Sequence, residues 1–333
     1  MQNSAENALT AIHDTLTAAA SKARETVAPG VILDQIGKLL QNSHIFPEKT
    51  PAHVYHYTNI TGLTGILLNH QLWATDLLYM NDTSEFVYAD SLISESLLKL
   101  MNDADLSKDL ASVLHTEPMR AHAACFCEEE NLLSQWRTYA MAGGTGYALE
   151  FEWRADARPV GFWAASGVLS GRVAYDKERQ QEVFQLLSDS LLKPFIQGRW
   201  MRLLSEGCSV EDLAEEMRRS YFEPFWAWQL TQTIARCFMK NSVFKEEKEW
   251  RLVELRLASG DPISEEFEPS KGILVPHLTI DLKEASMPKI KRIFVGPSPH
   301  PDLAHRSLER FLKKHQLEHI GIESKPIPLR LWP

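Results

Sequence analysis

A chain of 333 residues with 44% hydrophobic and 24% charged side chains is long enough to bury a sizeable core and has the balance of an ordinary globular protein. Its formal net charge of -9 disfavours a broad electrostatic grip on a phosphate backbone, while leaving room for a local basic cleft. Four cysteines, Cys125, Cys127, Cys208 and Cys237, form no spaced disulfide framework, and no stretch approaches the ~18 apolar residues of a membrane span, so a cytoplasmic protein without membrane contact is expected. The Ala-rich N-terminal stretch carries Asp14 and Glu25 and lacks the basic-then-apolar order of a leader peptide.

Ala8, Ile12, Leu16 and Ala19 recur at helical spacing, and a similar pattern over 31–40 follows the Pro29-Gly30 break, which predicts two short helices. Pro47 and Pro51 then interrupt both helix and ladder, setting a boundary between an N-terminal helical extension at 1–50 and an α+β domain at 51–333. From Val54 the pattern predicts a strand, a helix over 59–70 capped by Thr58 or Asn59, a strand at 72–75, and a helix reaching Met101 from a cap at Asp82 or Thr83. A strand at 121–127 follows, then a helix at 132–142 and a strand at 146–151. A mainly helical insertion is expected at about 176–239. Strands at 243–257, 273–282 and 290–295, a helix at 302–315 and a last strand near 320–329 complete the order.

Gly143-Gly144-Thr145-Gly146 lacks the spacing of a phosphate loop and reads as a glycine turn between helix and strand. The aromatic group Tyr221, Phe222, Phe225, Trp226 and Trp228 has no interleaved Lys or Arg and reads as core packing in preference to base stacking. Cys125-Phe126-Cys127 on a strand turns both thiols to one face, as buried small hydrophobes.

Two motifs carry chemistry. His56-Tyr57-Thr58 ends a predicted strand in front of a helix, where free backbone N–H groups suit a ribose or phosphate. In an extended 243–257 strand, Glu247, Glu249 and Arg251 share one face. Two carboxylates held close raise the pKa of one of them, an arrangement used when one group stays anionic and the other handles a proton. The same residues also fit plain ion pairing of Glu247 and Glu249 with Lys240 and Arg251 on an exposed strand.

The series His56-Tyr57-Thr58, Asn81-Asp82 with Glu85, Cys125-Phe126, Trp136 with Tyr139, Lys240 ahead of Glu247-x-Glu249-Trp250-Arg251, Gly296-Pro297, and Ser324 to Arg330 resembles the bacterial domain-of-unknown-function 2971 family over roughly residues 53–332. A His-x-Thr closing the first strand, the following helix with Gly65-Ile66-Leu67, and Glu247-x-Glu249 on a later strand also resemble the ADP-ribosyltransferase superfamily. In that superfamily a His-Gly-Ser/Thr triplet binds a ribose of NAD; here Tyr57 replaces the small middle residue.

The second resemblance implies an ADP-ribosyltransferase-like split, mixed or antiparallel β-sheet with helical insertions, NAD as substrate, and no metal. It implies that Glu249 bonds the nicotinamide-side ribose and stabilises the developing cation, while Glu247 orients or deprotonates the acceptor. His56 and Thr58 would hold the other ribose, and Tyr57 or Tyr139 would stack on nicotinamide. Asn81 joins the binding set, and Arg137 or Lys240 is assigned to the pyrophosphate from charge alone. The acceptor, a protein or nucleic acid, is not identified; a toxin or antiphage effector role and a neutralising or regulatory partner on the N-terminal helices are implied by resemblance only. Two other readings stand beside it: a non-catalytic nucleotide-sensing or protein-interaction module in which Arg251 neutralises Glu249, and a metal-dependent nuclease using Asp82, Glu85 and Glu247.

Overall fold

The computed structural model describes residues 51–80, 85–101, 119–141, 144–153, 160–163, 168–193, 206–208, 222–257, 265–270, 272–284 and 287–325. The predicted N-terminal helices, Asn81 and the caps at Asp82 and Thr83 lie outside them.

Alternation in His53-Val54-Tyr55-His56-Tyr57-Thr58 makes β1 (His53–Thr58), with the two tyrosines on one face and Val54, His56 and Thr58 on the other. Asn59 stops the strand and caps α1 (Ile60–Asn69) through its side chain, which accepts from the Gly62 N–H. Gly62 is required by a close approach, since a Cβ there would stand 2.1 Å from Thr58 Oγ1. His70, at φ 54, ends the helix in the left-handed region and returns the chain into β2 (Gln71–Asp76). Next come α2 (Glu85–Met101), β3 (Met119–Cys127), α3 (Leu133–Met141), β4 (Tyr147–Glu152), β5 (Val160–Trp163) and β6 (Val168–Arg172). The remaining elements are α4 (Lys177–Leu187), α5 (Phe222–Cys237), β7 (Glu249–Leu257), β8 (Glu266–Ser270), β9 (Ile273–Asp281), β10 (Lys289–Val295), α6 (Pro301–Lys314) and β11 (Gly321–Ser324).

Among the described residues eleven strands join one open mixed sheet, antiparallel at every pairing except the parallel pair β10 and β11. The hub is β3. One of its edges pairs with β7 along its whole length, from Met119 opposite Leu257 to Cys127 opposite Glu249. Its other edge is shared, with β1 meeting it at Tyr55 opposite Cys127 and β2 at Thr75 opposite Ala123 and Asp76 opposite His122. Both strands run antiparallel to β3 on the same edge, so the sheet forks there. The expectation of a mixed sheet with helical insertions therefore holds.

Helices cover both faces. Ala121, Ala123 and Val253 pack with α2, α4 and α5, while Ala124, Phe126, Trp250 and Leu252 pack with α1 and α6. A third cluster sets Trp136 of α3 against Tyr55, Tyr57, Cys127, Ala148 and Phe294. Gly296 admits Trp136, because a Cβ there would stand 2.2 Å from the indole. Two motifs that sequence holds far apart thus meet in one contact. Gly144, at φ 82, lies in the expected turn between α3 and β4.

Two expectations need correction. The strand predicted at 243–257 begins only at Glu249; Ser242–Glu247 is a 3-10 turn, and Lys248 at φ 42 redirects the chain. Lys245-Glu246-Glu247-Lys248 has no apolar alternation to bury, so it has no reason to join the ladder. Strands β5, β6 and β8 form where no element is predicted: β6 is buried almost throughout and β8 is exposed almost throughout, so neither β6 nor β8 alternates. The insertion does hold α4 and α5, and Trp228 is core as expected; the side chains of Phe222, Phe225 and Trp226, and all of Tyr221, lie outside the described residues.

Candidate functional site

Register aligns Cys127 with Glu249 and Cys125 with Arg251, so the two thiols, the carboxylate and the guanidinium occupy one sheet face, beneath the helical layer. Glu249 is 4% exposed and Arg251 is fully buried. Arg251 donates from Nε to Glu249 Oε1 at 2.7 Å and from Nη2 to Oε2 at 3.2 Å, and its Nη1 donates to the Cys237 carbonyl at 2.8 Å, tying the end of α5 to the sheet. Lys240 Nζ donates to Glu249 Oε2 at 3.1 Å and to Glu247 Oε2 at 2.9 Å. One ammonium therefore bridges both acids. The turn at Lys248 makes this convergence, replacing the strand alternation that was expected to do it.

Lys240 is held from behind. Its N–H donates to the Ala174 carbonyl at 3.1 Å, and its carbonyl accepts from Gln180 Nε2 at 3.0 Å. Gln180 in turn accepts from the Tyr88 hydroxyl of α2 at 2.7 Å. Beside the acids, the Glu249 N–H donates to Tyr175 Oη at 3.0 Å.

The two carboxyls titrate in opposite directions. Burial alone pushes Glu249 up, but the charges of Arg251 and Lys240 outweigh it and hold the group at about 2. Glu247 lacks the guanidinium contact; burial raises it, against the hydrogen bond and charge of Lys240 and with the help of the Glu249 charge. Burial, followed by the Glu249 charge, raises Cys125 and Cys127, which keeps both thiols protonated.

The turn after β3 carries three consecutive glutamates, each matched to a different cation. Glu128 meets Arg172 at 3.0 Å and accepts from Trp250 Nε1 at 2.8 Å; Glu129 pairs with Lys248; Glu130 pairs with Lys325 at 3.0 Å. Tyr57 anchors the same turn, donating to the Glu129 carbonyl at 2.7 Å and accepting from the Leu132 N–H at 2.9 Å. Its ring stands edge-on to Trp136, with centroids 4.8 Å apart.

His56 marks the fork. Its Nδ1 lies 2.8 Å from the Cys125 carbonyl, an atom that only accepts, so Nδ1 carries the proton and Nε2 is left as an acceptor. Burial lowers its pKa and favours this neutral form.

The predicted site residues therefore divide. Glu247, Glu249 and Lys240 converge, with Arg251 beside them, and the pairing is buried where an exposed strand was expected. Lys240, expected at a pyrophosphate, is bonded here to the two acids. Tyr57, expected as a nicotinamide-stacking ring, is 3% exposed and edge-on to Trp136. His56 and Thr58 point from the face opposite Glu249, with the His56 ring 5.6 Å from Phe126. Arg137 is exposed on α3; the Tyr139 side chain and Asn81 lie outside the described residues, as do Asp82 and the Glu85 side chain. Tyr175 and Gln180 were missed, because Tyr175 sits at a junction ahead of α4, Gln180 is a polar residue on the buried face of α4, and each acts through a long-range partner.

Among the described residues no helix is long and apolar enough to cross a membrane. No curated protein and no solved structure matches the chain. Residues 135–252, from the start of α3 into β7 and including the Lys240, Glu247, Glu249 and Arg251 group, match the model of a family described as protein of unknown function (DUF2971), which supports the family assignment that the motif order implies.

Proposed function

We propose that the chain is an NAD-dependent ADP-ribosyltransferase in which Glu247 is the carboxylate that meets the reacting groups and Glu249 is the fixed charge behind it. The observation that carries this reading is the acid pair on Lys240, with Glu249 held ionised and Glu247 shifted toward protonation. A permanent anion favours an oxocarbenium-like ribose over the neutral ground state. In the proposed step the C1′–N bond to nicotinamide breaks with its electron pair leaving on nicotinamide, and the acceptor nucleophile bonds to C1′ as its proton passes to ionised Glu247. His56, on the opposite face of the sheet, takes no part in this step.

A second reading is a nucleotide-binding module without catalysis. It is favoured by the closure of Glu249 under Arg251 and Lys240 and by the position of His56 on the opposite face. Nicotinamide release from NAD, measured alongside thermal shift with NAD and ADP-ribose, separates the two. Release by the wild type that is lost in Glu247→Gln supports the transferase; a thermal shift without release supports the module; neither signal sinks both.

A further inference from the structure

We infer that Tyr175 contacts the substrate, its hydroxyl donating a hydrogen bond to a ribose hydroxyl of the bound dinucleotide. The inference rests on the proposed NAD reading of the Glu247 and Glu249 pair and adds a residue that neither motif nor family supplies.

A tyrosine hydroxyl has one hydrogen to give and lone pairs to accept with. At Tyr175 the accepting side is used, by the N–H of Glu249 at 3.0 Å. Among the described residues no acceptor is recorded for its hydrogen. The backbone around it is pinned on both sides. Ala174 donates to the Phe238 carbonyl at 2.8 Å and accepts from the Lys240 N–H, and Asp176 caps α4 by accepting from the Arg179 N–H at 2.9 Å. The hydroxyl is thus placed by fixed structure, on a residue that is half-buried.

Its surroundings select the partner. Burial, then the charge of Glu249, raises the Tyr175 pKa, so the group remains a donor across the neutral range. Two carboxylates nearby disfavour a phosphate, because Lys240 is already taken by both acids. A ribose hydroxyl fits, since it can accept from Tyr175 and donate onward to Glu247.

Two variants test this in the full chain. Tyr175→Phe should raise the Kd and KM for NAD about tenfold, the loss of roughly one hydrogen bond, with kcat changed less than about twofold. That variant also removes the acceptor of the Glu249 N–H, so a lowered Tm by itself supports nothing. Replacing Tyr175 with 3,5-difluorotyrosine, whose hydroxyl donates more strongly and accepts more weakly, should tighten NAD binding while leaving Tm unchanged or lower. Unmoved NAD affinity in both variants, with the wild type binding NAD, overturns the role of Tyr175 and leaves the site reading intact. A wild type that neither binds nor cleaves NAD overturns both.

Discussion

Glu249 keeps its charge where little solvent reaches, and Arg251 and Lys240 are the reason it can. Glu249→Gln should therefore cost on the order of 3–5 kcal/mol in urea unfolding, because it leaves a buried guanidinium without its counter-charge. Glu247→Gln, at a part-exposed position, should cost less than about 1 kcal/mol while abolishing nicotinamide release. The pH dependence follows from the same contrast. The folded-state value of Glu249 lies below its ordinary 4.5, so its stabilisation is complete above 4.5 and is lost as pH falls toward about 2. The loss is on the order of 3 kcal/mol. Glu247 has the opposite sign: its raised value means that ionisation costs stability as pH rises through it. Chemical denaturation of the wild type between pH 5 and pH 2 should show the net fall, and Glu249→Gln should flatten it. The chance that these carboxylates act as a pair was readable from Glu-x-Glu. Their division into a fixed anion and a titrating acid was not, because it depends on Arg251 reaching one and not the other.

At the level of elements, the contact between Gly296 and Trp136 joins the end of β10 to α3. Gly296→Ala must displace a fully buried indole and should destabilise by about 2–3 kcal/mol. Adding Trp136→Leu should recover part of that loss, and a double-mutant cycle from urea midpoints reads the coupling; additive costs would show that the contact does not constrain α3. Both residues stood out in the motif series, yet nothing local says that they touch. Conversely, the helices α1 and α6 were legible because one buried face stamps its period on the chain, and β1, β3 and β9 because short runs of buried residues are bounded by polar or turn-forming ones. The boundary of β7 was not. Glutamates before Trp250 read as strand until the left-handed Lys248 is seen to turn the chain.

Across the whole molecule, β3 couples the parts, since β1, β2 and β7 all pair with it. Phe126 lies at that hub, edge-on to Phe151 and Trp153 at 5.4 Å and beside His56. Phe126→Ala should cost about 3–5 kcal/mol. Hydrogen exchange should show protection falling together in β4 and β9, on either side of the fork; loss confined to one side would mean that the two halves of the sheet unfold independently. Local pattern alone determines most of the element order, the mixed α and β character and the candidate acids, because apolar periodicity and capping act over a few residues. Which face each side chain serves, where the sheet forks, and which cation answers which carboxylate are decided only in the tertiary structure. The reason is physical: those outcomes depend on strand register and on partners distant in the chain, such as Tyr175 with Glu249 and His56 with Cys125, and no short-range period encodes them.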